Sequence, residues 1–202
     1  MDIAERDEED DESGASSEEK KRRESFNNVI AVAVALLATF MGICSVKAGN
    51  IGQAMQQAQA DKIDNYGWYQ ARNIREEVMR ATAFQLRAQA QTAPPAARAV
   101  YARQAAAYEK LAAEQEQKKT KQQKDAEAAD KQYDALNIHD DQFDLSDALL
   151  SVAIALFAVA ALTQKRWLFA LALAPTFFGV LMGLAGLLGW GMHFAALSNL
   201  LS

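Results

Sequence analysis

The side chains best suited to acid–base or metal chemistry form one short cluster: His139, Asp140 and Asp141, followed by Asp144 and Asp147. Carboxylate oxygens are the ligands that calcium and magnesium prefer. The spacing matches no metal motif, however, and Asp144 with Asp147 fits an N-cap and a first-turn acid of a helix. We therefore expect no metal, no cofactor and no catalytic residue here, and a metal site is the minor alternative.

Other signs of catalysis or nucleic-acid binding are absent from the sequence. It contains no Walker, zincin or GxSxG motif. The single cysteine, Cys44, excludes an intrachain disulfide and a cysteine-built zinc site. No domain is strongly basic, which argues against nucleic acid as a partner. The sequence thus predicts a protein that is not an enzyme.

Three aromatic side chains, Tyr66, Trp68 and Tyr69, form a second candidate, a contact surface. They begin about 20 residues, or roughly 30 Å of helix, beyond the first apolar segment, which disfavours contact with lipid headgroups. We expect them to fix their helix against a neighbouring helix or subunit. A dedicated partner-binding role is the alternative.

The elements that carry these residues follow from the segregation of apolar and charged side chains. Half of the 202 residues are hydrophobic, yet the only Lys, Arg, Asp or Glu side chains in residues 148–202 are Lys165 and Arg166. Such nearly charge-free blocks rule out a simple soluble globule. The sequence predicts transmembrane helices at 26–46, 148–164 and 168–190. A cleaved signal peptide is the alternative for the first.

Basic residues predict the orientation in the membrane. Lys20, Lys21, Arg22 and Arg23 precede the first span, and three crossings place them on the same side as Lys165 and Arg166. The positive-inside rule then predicts a cytoplasmic N-terminus and a periplasmic segment 47–147. The reverse orientation is the alternative.

Residues 47–147 are rich in helix-forming Ala, Gln, Glu, Lys and Arg. We expect an extramembrane helical hairpin, resembling a coiled coil, with its tip at 92–95, where Pro94 and Pro95 interrupt the helix. The two arms have similar lengths, about 68 Å and 62 Å. The acidic segment 1–25 is expected to be a disordered tail, and 191–202 a short interfacial segment.

The candidate packing residues recur at helical spacing and so form apolar stripes along the helices. Alanine dominates these stripes, so each stripe buries little apolar area. We therefore expect several copies to pack side by side. In the third span the glycines allow close helix contact, within or between chains. The packing or oligomer candidates are Ile74, Val78, Phe84, Tyr101, Tyr108, Gly179, Gly183 and Gly186.

Two stretches, QAMQQAQADK at 53–62 and WYQARNIRE at 68–76, together with SVKAGN at 45–50, resemble a family of bacterial membrane proteins known only as a domain of unknown function. The resemblance extends from about residue 25 to the C-terminus. It implies a bacterial inner-membrane location and a three-span layout. It carries no catalytic residues to transfer.

These features together predict an all-α membrane protein, with the lipid bilayer and further copies of the chain as its partners. The predicted function is that of a non-enzymatic, homo-oligomeric inner-membrane scaffold, assembled through the hairpin and the glycine-rich third span. An oligomeric channel with an uncharged gate is one alternative. An accessory subunit bound to an unidentified membrane protein is the other.

Overall fold

The computed structural model describes residues 4–190 of the chain, and their side chains from residue 17 onward. Within this range the protein is all-α and consists of three helices, α1 (Ala4–Thr92), α2 (Pro95–Thr163) and α3 (Arg166–Leu188). Each helix is long and apolar enough, by length and composition, to cross a membrane. The segment 191–202, expected to be interfacial, lies outside the described residues.

In α1 and in α2, the apolar segment and the charged segment belong to one continuous helix. No separate hairpin between the spans is evident, because neither helix breaks near residue 47 or residue 147. Gly49 and Gly52 lie inside α1, and a glycine within a helix costs only about 1 kcal/mol. Asp144 and Asp147 lie inside α2, so the prediction that they cap a helix was wrong.

The first helix also includes most of the acidic segment that was expected to be disordered. It begins at Ala4, well before the apolar stretch. Near the start of that stretch the Arg23 guanidinium lies 2.7 Å from the Glu19 carboxylate, one turn earlier. Such pairs of opposite charge four residues apart favour the helical conformation.

The proline pair lies where the sequence indicated a break. α1 ends at Thr92 and α2 begins at Pro95. The Pro94 carbonyl accepts hydrogen bonds from the backbone N–H groups of Ala97 and Arg98, at 2.9 and 3.2 Å. Arg98 Nε in turn donates to the Ala93 carbonyl at 2.9 Å. These bonds satisfy backbone groups that the ends of two helices would otherwise leave free.

The chain divides into two compact units. The three-helix unit contains Met1–Gly52 and Ile138–Ser202, and the paired-helix unit contains Gln53–Asn137. The core of the three-helix unit mixes large and small side chains, with Leu150 and Phe157 almost fully buried. The buried core residues are Ile30, Leu37, Leu150, Ala153, Phe157, Ala160, Leu168 and Ala172.

Glycines set the contact of α3 with the rest of the three-helix unit. A Cβ atom added at Gly179 would lie 2.8 Å from the Leu150 side chain, and one at Gly183 would lie 2.6 Å from the Phe40 ring. The Ser146 hydroxyl donates to the Gly179 carbonyl at 2.8 Å. At Gly186, the added atom would lie 2.8 Å from the Phe143 ring. The glycine stripe therefore packs against side chains of its own chain.

In the paired-helix unit, α1 and α2 run antiparallel and meet along a seam. The α1 residues that face the seam recur at alternating four- and three-residue steps, which is the spacing of coiled coils. Alanine fills most of its fully buried positions, so the two backbones approach closely. These buried alanines are Ala58, Ala83, Ala93, Ala105, Ala112, Ala126 and Ala129.

The glycine stripe generates a prediction with an internal control. G183A places a methyl group against Phe40 and Ser146, and we expect it to lower the free energy of unfolding by about 1–2 kcal/mol. G52A makes the same chemical change where no atom lies within 4 Å of the new Cβ, and we expect a gain of about 0.5–1 kcal/mol from helix propensity. Thermal unfolding of the purified, detergent-solubilised variants, followed by circular dichroism, measures both. Shifts of the same sign would contradict this account.

Candidate functional site

An ionic layer around the buried Glu76 lies at the centre of the paired-helix seam. Glu76 is only 6% exposed, and its carboxylate lies 2.6 Å from Lys119 Nζ and 2.9 Å from the Arg80 guanidinium. Arg80 also lies 3.0 Å from the Glu116 carboxylate. The Lys119 hydrogen bond holds the pKa of Glu76 below its usual value, and the same bond raises the pKa of Lys119. Both groups are therefore charged at neutral pH.

Two further ion pairs lie on either side of this layer. Lys62 Nζ lies 2.5 Å from the Asp130 carboxylate, and the Arg87 guanidinium lies 2.5 Å from the Glu109 carboxylate. Any change in register would separate these partners. These pairs act mainly on register and orientation, because their side chains are 37–64% exposed and water weakens their attraction.

Several large apolar side chains of α1 in this unit face away from the seam, although Met55 is buried in it. Ile63, Ile74, Val78 and Phe84 are between 58% and 74% exposed, and we call these four residues the outer face. Two of the predicted packing residues, Ile74 and Val78, thus do not contribute to the contact with α2, whereas Phe84 lies at the edge of the seam. Exposed apolar side chains that recur on one side of a helix leave apolar area that a partner would cover.

The second helix contributes the other packing candidates. Tyr101 is partly buried, whereas Tyr108 is 38% exposed at the edge of the seam. Beside Phe84 of the outer face, α1 and α2 form an open groove of about 380 Å³. Arg80, Arg87 and Glu109 contribute to its walls. The groove gives this surface a concave region next to its most exposed aromatic ring.

The aromatic cluster splits between two environments. Tyr66 and Trp68 are 40% and 52% exposed, whereas Tyr69 is partly buried at a seam position. The Arg72 guanidinium lies 5.9 Å from the centroid of the Trp68 ring, a cation–π distance. The structure therefore does not gather the three rings into one surface.

The acidic cluster belongs to the three-helix unit. His139 Nδ1 lies 3.2 Å from Gln142 Oε1, and Gln142 Nε2 donates to the Trp190 carbonyl at 2.7 Å, which connects α2 to the end of α3. Burial is the main cause that raises the pKa values of Asp140 and Asp144, and neighbouring aspartates raise them further. Among the described residues, no group of three or more His, Cys, Asp or Glu side chains is arranged to hold a metal ion.

A small cavity of about 140 Å³ lies beside this cluster, between α1 and α2 of the three-helix unit. Cys44 and Ser45 line one side of it, and Asp144, Ser146 and Asp147 line another. Ser146 already donates to the Gly179 carbonyl. The cavity is thus part of the packing between these helices.

The polar seam residues are the ones that the sequence interpretation missed. Lys62, Glu76 and Lys119 were not singled out, because a search for apolar stripes passes over charged residues at seam positions. A seven-residue repeat was nevertheless present. It runs through residues 55, 62, 69, 76 and 83 of α1 and residues 105, 112, 119 and 126 of α2.

Comparison with known proteins identifies the family of the chain. Residues 26–189 match the family model described as "Domain of unknown function (DUF4337)", and the chain belongs to this family. The resemblance stated from the sequence motifs is confirmed, and the acidic N-terminal segment lies outside the match. No curated protein matches the chain. No solved structure matches it either.

The ionic layer predicts a specific loss of stability. E76Q keeps the shape of the side chain but removes its charge beside Lys119 and Arg80, and we expect it to lower the free energy of unfolding by about 2 kcal/mol. The adjacent variant E77Q alters an exposed carboxylate outside the seam and should change it by less than about 0.5 kcal/mol. Chemical denaturation of the wild type and of each purified variant measures the free energy of unfolding.

The effect of E76Q on stability should depend on pH. The pKa of Glu76 is lowered from 4.5, so its stabilising effect is present above the pKa of an unfolded glutamate and is lost as the pH falls through the folded value. The stability difference between wild type and E76Q should therefore shrink below about pH 4.5. A difference that stays constant on acidification would show that the charge of Glu76 is not its cause.

Proposed function

We propose that this protein is a non-enzymatic scaffold of the bacterial inner membrane that assembles into homo-oligomers through the outer face of its paired-helix unit. The three-helix unit is the membrane anchor. The paired-helix unit lies outside the bilayer as a helical hairpin on the periplasmic side, with the N-terminus of the chain in the cytoplasm. The positive-inside distribution of Lys and Arg supports this orientation.

The observation that carries the proposal is the exposure of the outer face. In a helix pair that stands alone in water, positions away from the seam are normally polar. Here Ile74 and Val78 occupy such positions and are 62% and 58% exposed. With Ile63 and Phe84 they extend over about 31 Å of helix. A second copy that contributes the same face would bury these side chains.

The small size of this surface is compatible with assembly in a membrane. Four side chains per copy supply less area than the roughly 1,200–2,000 Å² of a stable interface between freely diffusing proteins. Copies anchored in one bilayer meet at a much higher effective concentration, so a weaker contact suffices. Association is therefore expected to depend on the anchor.

The third helix is a poorer candidate for the interface between copies. Gly179, Gly183 and Gly186 pack against side chains of their own chain. Since GxxxG-type association requires bare glycines on the surface, this stripe is not free to contact a second copy. Assembly through the outer face requires no rearrangement of the three-helix unit.

A double substitution on the outer face tests the proposal. I74Q/V78Q removes apolar area without touching the seam, and we expect it to shift the full-length protein from oligomer to monomer, with at least a tenfold weaker association. W68Q is the matched control, because Trp68 is 52% exposed on the same helix and lies about 120° around the helix axis from Ile74. Native mass spectrometry of the detergent-solubilised proteins measures the oligomeric state.

The control decides how the result is interpreted. Retained oligomers in I74Q/V78Q would contradict the outer face as the interface. Equal dissociation in W68Q would show that assembly does not depend on this surface in particular. A wild-type protein that is monomeric in lipid nanodiscs as well as in detergent would refute the scaffold function itself.

A further inference from the structure

We propose that the groove beside Phe84 is a second contact between copies of this chain, in which a two-fold axis parallel to the helix pair brings the two Phe84 rings together. The groove lies between α1 and α2 of the paired-helix unit, and Arg80, Phe84, Arg87 and Glu109 line it. This inference rests on the proposed assembly of copies anchored in one bilayer. It adds to the outer face a contact of defined symmetry and defined charge pairs.

The groove has a floor of small apolar residues. Ala83 of α1 and Ala112 of α2 line it and are only 2% and 3% exposed, and the exposed Ala113 extends the apolar surface along α2. Above these methyl groups the two helices leave an open volume of about 380 Å³. An aromatic ring from outside the chain can lie on such a floor.

Phe84 is the projecting group beside this concave region. Its side chain is 74% exposed. A covered aromatic side chain buries about 150–250 Å², so this ring is the largest apolar contribution that the groove side of α1 offers. A two-fold contact uses the same surface of both copies, so each copy must supply a projection and a hollow. Phe84 and the groove beside it meet this requirement.

The charges of the groove are separated between its two walls. Arg80 and Arg87 lie on the α1 wall, and they pair across the groove with Glu116 and Glu109 of α2 at 3.0 and 2.5 Å. The four side chains are 39–64% exposed, so each retains a side on which a further charge can approach. The α1 wall is therefore positive and the α2 wall negative.

The other charged groups near Arg80 on α1 are directed elsewhere. The Glu76 carboxylate is buried in the seam and pairs with Lys119 as well as with Arg80. Glu77 accepts a hydrogen bond from Asn73 at 3.2 Å and does not line the groove. The charges that a second copy meets at the groove are thus those of the two ion pairs across it.

The bilayer restricts the symmetry of this contact. The first apolar segment and the α1 part of the paired-helix unit belong to one helix, Ala4–Thr92. Copies with the same topology in one bilayer therefore have α1 helices that run in the same direction. A two-fold axis perpendicular to the helix pair would reverse one of them, so the axis must run parallel to the helices.

This symmetry makes the two walls complementary. Rotation by 180° about an axis above the groove places α1 of one copy over α2 of the other at the same height. Because each ion pair joins the two helices at one height, Arg80 and Arg87 of one copy then face Glu116 and Glu109 of the second copy. The two Phe84 rings meet near the axis, above the alanine floor.

Disulfide cross-linking of the full-length protein in reconstituted vesicles tests the contact. In a C44A background, F84C places a thiol near the axis, and we expect covalent dimers on oxidation with copper phenanthroline and oxygen. Q85C is the matched control, because Gln85 is also exposed but lies about 100° further around α1. We expect F84C to cross-link at least about fivefold faster than Q85C, because the contact raises the effective concentration of its thiols.

A charge exchange separates contacts between copies from contacts within one chain. Adding R87E or E109R to F84C makes like charges face each other across the axis, and we expect each variant alone to cross-link roughly fivefold more slowly, because the symmetry repeats the repulsion. Mixing the two variants in one vesicle restores opposite charges between copies. It cannot restore the ion pair that each chain has lost, so recovery of the cross-linking rate reports the contact between copies.

Each contrary result has a distinct meaning. Equal cross-linking of F84C and Q85C, or variants R87E and E109R that do not recover on mixing, would overturn the two-fold contact. If F84C does not cross-link while I74Q/V78Q still dissociates the oligomers, this inference is wrong and the proposed function stands. A wild-type protein that is monomeric in lipid refutes both.

Discussion

The close approach of helix backbones through small side chains is the constraint on which the rest of this structure depends. In the three-helix unit, glycines of α3 lie directly against Phe40 and Phe143, which fill the space that a Cβ atom would need. In the paired-helix unit, alanines such as Ala105 and Ala126 are 1% and 0% exposed and form the seam. Close packing of this kind gains from dispersion contacts, although each residue buries little apolar area.

A seam of alanines has a second consequence, since it supplies little information about register. Alanine at every turn would permit sliding by one heptad with little loss of contact. The Glu76–Lys119 pair and its neighbours remove this degeneracy, because a shifted register would leave buried charge without a partner. The ionic layer thus specifies which alanines meet, and the alanines bring the helices close enough for the ion pairs to form.

The helical class, the apolar segments, the family and the helix break at the proline pair could be predicted from the sequence, because each depends on local composition or a local motif. Sequence reasoning did not find the continuity of α1 and α2, since the change from apolar to charged residues at 47 and the aspartates before 148 indicated boundaries but do not stop a helix. It also did not assign Ile74 and Val78 to a face. A weak apolar stripe fits a seam or an exterior equally well, and only the partner helix decides between them. The seven-residue repeat through Met55, Lys62, Tyr69, Glu76 and Ala83 was visible, but it mixes charged with apolar residues.

The exposure of the outer face follows from the same constraint. If Ile74 or Val78 lay in the seam, their volume would push the helices apart, and the distance from Glu76 to Lys119 could not remain 2.6 Å. At this level of α1, the large side chains of Ile74 and Val78 therefore lie on the other face. That leaves them exposed in a single chain, at a cost in free energy that only a further partner removes. Since copies of this chain carry the same face, a self-complementary contact is the simplest arrangement that removes this cost.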